Sequence, residues 1–268
     1  MPTTINGIGT TYFGKKNVES YSSACESCGQ VTTLSDYETG YYICILFIPV
    51  IPLGRRMILG QCAMCTRHRV MPLKEWETIK EESISQGIDQ LSSNVDDSNK
   101  ALELLGTYTA FKQYDEAKQL ALATGKSHPG NYDVQLALGG WFEEMSMAQE
   151  ADECFQRCLN IDFDCPSSKR IRCITHLEQQ QLTEGEAIAL ELFAQDPVSQ
   201  IGPMLMLVTA FESHGQDAQA YKTYQRIVAG VPEIKEDKEF CKPIRKLEKK
   251  LGVTESIVPK RGFFGLFG

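Results

Sequence analysis

Four cysteines near the N-terminus have the spacing in this chain that most clearly predicts chemistry. Cys25 and Cys28 form one Cys-x-x-Cys pair, and Cys62 and Cys65 form a second pair after 33 intervening residues. Zinc is held by four thiolate or imidazole ligands in a tetrahedron, and each pair can supply two of them from one turn. Gly29, directly after the first pair, suits a tight turn with positive φ. The spacing therefore predicts one structural Zn²⁺ ion bound by all four cysteines.

The predicted metal is expected to stabilise the fold and to take no part in catalysis. Four thiolates complete the coordination shell and leave no position for a reacting water. A redox role for the cysteine pairs would need a thioredoxin-like βαβ context, which the surrounding sequence lacks. His68 is the alternative fourth ligand but is expected at the surface, and Cys44, within an apolar run, is expected in the core.

Two β-type runs lie between the cysteine pairs and could bring them together. They are Tyr41–Ile48 and Arg56–Gln61, with the proline-containing segment Pro49–Gly54 expected to form a rigid turn between them. A hairpin of this kind returns the chain, so that the second pair lies beside the first.

The N-terminal segment resembles the zinc-ribbon 15 type of small ribbon domain over about residues 5–70. The resemblance is carried by Ile5–Thr10, the two cysteine pairs and the Leu46–Gly54 block, which is its most specific part. That family often has proline after the first cysteine of a pair, where Glu26 and Ala63 stand in this chain. The resemblance implies a zinc-binding module and implies no reaction.

After residue 100 the sequence repeats with a period near 34 residues, the length of tetratricopeptide repeats. Ala117 recurs as Ala151, and the interval from Ala117 to Pro129 equals that from Ala220 to Pro232. Small residues let two helices approach closely, and large residues spaced by three and four positions fill the seam between them. The pattern resembles tetratricopeptide repeats over about 100–232. An irregular helical bundle, the alternative, would not keep this spacing.

Two helical segments fit the repeat less regularly. The unit Pro166–Pro197 is degenerate, with Ala187 and Ala194 as loose matches to the small-residue position. Lys235–Leu251 is a basic amphipathic stretch, in which Pro243 is expected to kink or restart the helix. This stretch is expected to cap the array, and a membrane-surface helix is the alternative.

The repeats are expected to form a groove that binds another protein or a peptide. The groove positions of the repeat family, carried over to the two clearest units, give the following six candidate residues: Leu136, Gly140, Glu143, Leu205, Thr209 and Glu212. This wall is acidic or neutral, so a peptide with Lys or Arg and an apolar anchor would suit it. A basic set that could clamp a C-terminal carboxylate is not found in these units.

These patterns predict a multi-domain chain, in which a small β zinc ribbon precedes an all-α helical-hairpin solenoid. The expected divisions are a ribbon over 1–72, a linker with a helix over 73–99, repeats with a capping helix over 100–252, and a flexible tail over 253–268. The sequence has no recognisable nucleophile, phosphate-loop or metalloprotease motif, so an enzyme is not expected. The lack of a secretory signal in the given sequence favours a cytoplasmic protein with reduced cysteines.

The formal net charge of −8 is unevenly distributed. Residues 81–231 hold 10 Lys and Arg against 23 Asp and Glu, which disfavours nucleic-acid binding by the whole chain. Two alternatives to a protein-binding adaptor stay open, and neither includes a small-molecule substrate. One is a nucleic-acid-binding ribbon using Lys15, Lys16, Arg55, Arg56, Arg67 and Arg69. The other is a peripheral membrane protein using the apolar run Tyr41–Leu53 and the Phe-rich segment Gly262–Phe267.

Overall fold

The computed structural model describes residues 4–5 and 8–259. Within these residues an antiparallel β-sheet is followed by ten α-helices and one short 3₁₀ helix. The chain forms two compact units, one ending at Thr124 and the other beginning at Gly125. This order confirms the predicted change from a β-rich to a helical segment. The Phe-rich segment Gly262–Phe267 lies outside the described residues.

The sheet is a meander in which each strand pairs with the next. Its strands are β1 Thr4–Ile5, β2 Ile8–Ala24, β3 Val31–Ile45, β4 Ile48–Cys62 and β5 Arg69–Pro72. In an antiparallel meander, alternate connections lie at the same end of the sheet. The β2–β3 and β4–β5 connections, which contain the two cysteine pairs, therefore meet at one end, and the β3–β4 turn lies at the other.

The β3–β4 hairpin turns at Leu46 and Phe47, so the prediction of a turn at Pro49–Gly54 is wrong. The φ angles of the two residues are 49° and 65°, as in the two-residue turns that match the twist of paired strands. Pro49 and Pro52 lie within β4. Proline is tolerated in a strand at a sheet edge, and in the described residues β5 does not extend along this part of β4.

Ionic contacts around the buried Asp36 carboxylate connect the sheet to Lys112, in the helical segment that follows it. Asp36 accepts a hydrogen bond from the Gly60 N–H at 2.6 Å. The Lys112 ammonium lies 3.3 Å from Asp36 and 2.8 Å from the Glu19 carboxylate. Burial lowers the pKa of Lys112, but the hydrogen bond to Glu19 and the charge of Asp36 outweigh burial and raise this pKa above its ordinary value.

The helices follow one another with short connections. They are α1 Leu73–Ser93, α2 Ser98–Ala110, α3 Tyr114–Ser127, α4 Tyr132–Glu144, α5 Ala148–Ile161, α6 Pro166–Glu178, α7 Leu182–Gln195, α8 Ile201–Ser213, α9 Asp217–Gly230 and α10 Lys238–Leu251, with the 3₁₀ helix Pro232–Glu236 before α10. Helix α1 packs against α2 and contacts β4 and β5. Helix α4 packs against α5, α6 against α7, and α8 against α9.

Four helical hairpins share one turn conformation. The turns place Lys112, Ser146, Gln180 and Gly215 at positive φ, with successive spacings of 34, 34 and 35 residues. In each turn the next N–H bonds to the carbonyl five residues earlier, at 2.8 Å in all four cases. This is the Schellman arrangement that ends a helix. Its recurrence confirms the repeat period that the sequence predicts.

The small-residue position of the degenerate third unit is occupied by Gly185, at 34 residues after Ala151. The expectation that Ala187 or Ala194 fills it is wrong, because both alanines are exposed. A Cβ atom added to Gly185 would lie 2.5 Å from a methyl carbon of Leu177. Alanine at this position would therefore require the buried Leu177 side chain to move, whereas glycine leaves room for it.

Helix α10 packs against the last hairpin, as expected for a cap. Phe240 and Ile244 join the core formed by α8 and α9. The helix extends from Lys238 through Pro243 to Leu251, so of the two expected effects of the proline, a kink or a restart, the restart does not occur. Helix α10 therefore adds side chains to the apolar core of the last hairpin and covers its outer side.

The segment after α10 is held against this helix by a buried carboxylate. Glu248, which is 6% exposed, accepts hydrogen bonds from the Tyr221 hydroxyl at 3.3 Å, the Ser256 hydroxyl at 2.8 Å and the Ile257 N–H at 2.9 Å. Val258 is buried beside them. Residues 253–258 therefore belong to the folded array and not to a flexible tail.

Candidate metal centre and partner site

The four predicted ligands lie together at one end of the sheet. All four sulfur atoms are within 4.8 Å of one another. The Cys25 and Cys65 sulfurs are 3.7 Å apart, and those of Cys28 and Cys62 are 3.9 Å apart. A tetrahedron with Zn–S bonds of about 2.3 Å has edges of about 3.8 Å, whereas a disulfide would need about 2.05 Å. The sulfur positions are therefore compatible with one zinc ion.

Both cysteine pairs have the same backbone conformation. The Cys25 N–H donates to the Gln30 carbonyl at 2.9 Å, and the Gly29 N–H donates to the Cys25 carbonyl at 2.7 Å. Cys62 and Thr66 donate the equivalent bonds at 3.1 and 2.9 Å. The fifth residue of each turn has positive φ, 70° at Gly29 and 59° at Thr66. Two copies of one knuckle thus face each other across the sulfur cluster.

Backbone N–H groups point at the sulfur atoms from within each knuckle. The Ser27 N–H lies 3.4 Å from the Cys25 sulfur, and the Met64 N–H lies 3.3 Å from the Cys62 sulfur. Hydrogen bonds of this kind stabilise the charged form of an acid. The fold therefore prepares thiolates, which are the form of cysteine that binds metals.

The four thiols cannot all lose their protons easily without a cation. Backbone hydrogen bonds from Cys28 and Ser27 lower the pKa of the Cys25 thiol to about 6. At Cys65 a backbone hydrogen bond from Arg67 lowers the pKa, but burial and hydrogen bonds with the neighbouring thiols outweigh it and raise this pKa to about 11. A divalent metal ion would remove the repulsion between the thiolates. The donor set therefore fits Zn²⁺, whose protein sites are rich in thiolates.

The two other residues considered near the site are not ligands in this geometry. His68 is outside the sulfur cluster, and its Nδ1 lies 3.1 Å from the Thr66 carbonyl oxygen. Cys44 is 1% exposed within the sheet, which confirms the prediction of a core residue. Among the four clustered cysteines only Cys28 is exposed, so solvent reaches the cluster from its side.

Replacing Gly29 with alanine is expected to lower the free energy of unfolding of the ribbon by about 1 kcal/mol. Its φ of 70° is unfavourable for any residue with a Cβ atom, although no atom lies within 4 Å of the added methyl group. The same change at Gly106, an exposed position in α2 with equally open surroundings, should instead stabilise that helix by about 0.5–1 kcal/mol. Thermal melts of both variants would check these signs, and a stabilising Gly29→Ala would contradict the knuckle geometry.

The predicted groove residues lie on accessible stripes of α4 and α8. Those on α4 are Leu136, Gly140 and Glu143, and those on α8 are Leu205, Thr209 and Glu212. Each stripe has the spacing i, i+4, i+7, which places its members on one helix face. All six residues are exposed or half-buried. The structure thus leaves them accessible, and their contact with a partner stays a prediction.

A cavity of about 320 Å³ adjoins the first stripe. Its walls come from α4, α5 and α6 and consist of Glu143, Ala148, Ala151, Asp152, Phe155, Ile171, Ile174, Thr175 and Glu178. Of these residues the sequence predicted only Glu143. The four residues of α6 were missed because their unit departs from the repeat pattern, and those of α5 because the candidate positions were carried over only to the first helix of each pair. The acidic and apolar positions of α6 were visible in the sequence, but the register needed to place them was not.

Two of the six basic residues proposed for nucleic-acid binding form salt bridges with carboxylates of the same N-terminal segment. Arg55 forms a salt bridge with Glu38, and Arg69 forms one with Glu26. Pairing with carboxylates reduces the positive potential that a phosphate backbone would meet. The sheet therefore gives weak support to a nucleic-acid-binding ribbon.

Comparisons with known proteins support the helical-repeat fold alone. The solved structure of PilW, described as a widely conserved type IV pilus biogenesis factor, is 18% identical and has a TM-score of 0.50, covering 66% of this chain and 82% of PilW. YrrB, described as a TPR protein with an unusual peptide-binding site, is 14% identical with a TM-score of 0.48, covering 65% of this chain and 87% of YrrB. No family model and no curated protein matches the sequence. The zinc-ribbon resemblance therefore stays a prediction.

Proposed function

We propose that this chain is a non-enzymatic interaction adaptor, in which a zinc-stabilised β ribbon is joined to a tetratricopeptide-like array that binds a partner peptide. The observation that carries the proposal is the cavity between α4, α5 and α6, which combines an apolar floor with an acidic rim. The proposed setting is the reducing cytoplasm, where the thiolates of the ribbon would be available to hold one structural Zn²⁺ ion.

The chemistry of the cavity favours a basic side chain with a long apolar stem. Phe155, Ile171 and Ile174 supply the apolar floor, and Glu143 and Glu178 supply carboxylates from two different helices. Among the described residues, the carboxylates of the cavity have no salt-bridge partner. A lysine or arginine could lay its methylene groups on the floor while its charged end reaches the rim. We therefore propose a peptide that carries Lys or Arg beside an apolar anchor.

The remaining predicted groove positions would extend contact with the peptide along the array. They are Leu136, Gly140, Leu205, Thr209 and Glu212. An exposed helix stripe can contact an extended or helical peptide by adding apolar area and hydrogen bonds. In this proposal the cavity holds the anchor residue, and the stripes determine which sequences follow it.

Selection from a displayed library of random peptides with the full chain as bait would test this function. We expect the selected peptides to be enriched in Lys or Arg next to apolar residues. The triple variant Glu143→Lys, Asp152→Lys, Glu178→Lys should weaken a selected peptide by about a hundredfold or more, because it places like charges at the rim. Fluorescence anisotropy of the labelled peptide would measure this loss.

The matched control reverses three exposed carboxylates of the same compact unit that do not line the cavity. The control variant is Glu144→Lys, Glu184→Lys, Glu233→Lys, which makes the same change in net charge. The control should retain affinity within a few-fold. Equal losses in the two variants would show a general charge effect and contradict the assigned site, and selection of acidic peptides would contradict the proposed chemistry.

A further inference from the structure

The tip of the β3–β4 hairpin, residues 45–53, exposes an unbroken apolar surface. Seven of its nine side chains are large hydrophobic groups that are between 42% and 75% exposed: Ile45, Leu46, Phe47, Ile48, Val50, Ile51 and Leu53. The other two are Pro49 and Pro52. Soluble monomers rarely leave contiguous apolar patches of this kind without an interaction that covers them. This exposure makes the hairpin tip a candidate interaction surface.

The turn itself is built at a cost to folding. Leu46 and Phe47 occupy the two positions of positive φ, where Asn and Gly are favoured. A bulky side chain at positive φ is strained, and such strain concentrates at functional positions. These residues are also the two most exposed of the tip, at 72% and 75%. Large apolar side chains therefore stand at the two turn positions whose backbone conformation is least favourable for them and whose exposure to solvent is highest.

A belt of tyrosines and cations follows the apolar tip along the sheet. The Tyr12 and Tyr41 rings, on β2 and β3, lie 5.6 Å apart. Lys15 and Arg56 come next, since both pair in register with Thr39. The Arg56 guanidinium lies 5.1 Å from the centre of the Tyr41 ring. An order of apolar, aromatic and then basic residues matches the hydrocarbon, interfacial and headgroup layers of a bilayer.

The dimensions and the sequence of the hairpin agree with this order. Ile45 lies four positions after Tyr41, which is about 13 Å in a strand and close to half of a hydrocarbon core of about 30 Å. The chain has no Asp, Glu, Lys or Arg between Thr39 and Gly54. An open strand edge is costly in lipid because its N–H groups lack partners. Pro49 and Pro52 lower that cost, because proline has no N–H group.

We propose that the hairpin tip inserts into one leaflet of a lipid bilayer that contains anionic lipids, and that the Tyr and Lys/Arg belt rests at its headgroups. This activity goes beyond the binding of a peptide by the helical array. Lipid explains the belt better than a second protein does, because a protein partner would not require aromatic and basic residues in this order around the tip. In the described residues no helix is long and apolar enough to cross a membrane.

Vesicle co-sedimentation with the full chain would test the proposal. We expect binding to phosphatidylcholine vesicles that strengthens when phosphatidylserine is added. The double variant Leu46→Asn, Phe47→Gly should lower the partition coefficient by about a hundredfold, because two large apolar side chains no longer leave water. Since Asn-Gly suits this turn, the variant should fold at least as stably as the natural chain. Loss of binding would then not reflect misfolding.

Two further variants separate the contributions. Val31→Asn, an exposed apolar position at the opposite end of β3, should leave binding unchanged. The double variant Lys15→Gln, Arg56→Gln should weaken binding on the order of tenfold to vesicles that contain phosphatidylserine. Its binding to vesicles of phosphatidylcholine alone should not change. Absence of vesicle binding by the natural chain would overturn the proposal. The apolar tip would then be a contact surface for another protein or for a second copy of this chain. Binding that survives the turn variant but is lost on deleting residues 260–268 would also overturn it.

Discussion

A Cys62→Ser variant is expected to lose bound zinc and, with it, the folded β ribbon. The Cys62 side chain is fully buried and its sulfur lies 3.9 Å from that of Cys28, so a hydroxyl would remove one of four ligands from a closed shell. Structural zinc contributes about 10 kcal/mol or more in small metal-dependent domains, which is comparable with the whole stability of many domains. Metal analysis and near-ultraviolet circular dichroism of the sheet tyrosines would measure both losses.

Cys44→Ser is the matched control for this prediction. Cys44 is equally buried in the same sheet, but it is outside the sulfur cluster. It should retain one zinc per chain and lose only the modest stability expected from placing a hydroxyl in a buried apolar site. The helical signal from residues after Gly125 should remain in both variants, because these residues form a separate compact unit. A Cys62→Ser chain that keeps zinc would rule out the assigned ligand set.

An Ile244→Ala variant is expected to lower the free energy of unfolding of the helical array by about 3 kcal/mol. Ile244 is fully buried where α10 covers the last hairpin, so truncation removes apolar contacts and leaves a cavity. The array depends on this contact because a helical repeat cannot cover its own outer seam. Denaturant titration followed by far-ultraviolet circular dichroism would measure the change.

Leu251→Ala provides the comparison on the same helix. Leu251 belongs to the same apolar stripe in the sequence, but it is 38% exposed at the end of α10. Its truncation should change the free energy of unfolding by less than about 1 kcal/mol. Similar losses at the two positions would show that α10 is not the cap, because the buried Ile244 and the exposed Leu251 would then contribute equally to stability.

The cluster of four cysteines could be predicted from the sequence because its signal is local. A Cys-x-x-Cys pair followed by a residue of positive φ determines its own turn, and two such turns are enough to define a tetrahedron. The repeat period was visible for a similar reason, since Ala117 and Ala151 occupy equivalent positions in successive hairpins. Both predictions depended on short-range spacing and not on how distant segments meet.

The errors arose where strand register or close packing decides the outcome. Pro49 and Pro52 suggested a turn, but pairing of β3 with β4 places them in a strand and moves the turn to Leu46 and Phe47. Gly185 was overlooked because glycine is unfavourable inside a helix, whereas in the structure its lack of a side chain leaves room for Leu177. The cavity beside Glu143 depends on how α6 packs, which the sequence does not specify.

The meander places the thiol cluster and the hairpin turn at opposite ends of strands that are 15 residues long, or about 50 Å. A slip of one residue between β3 and β4 would send every side chain of the far end to the other face. A metal ion held by the four cysteines would therefore fix the alignment of the strands as well as stabilise them. Removing the metal with a chelator should therefore also release the side chains at the hairpin turn, although the chelator acts at the opposite end of the sheet.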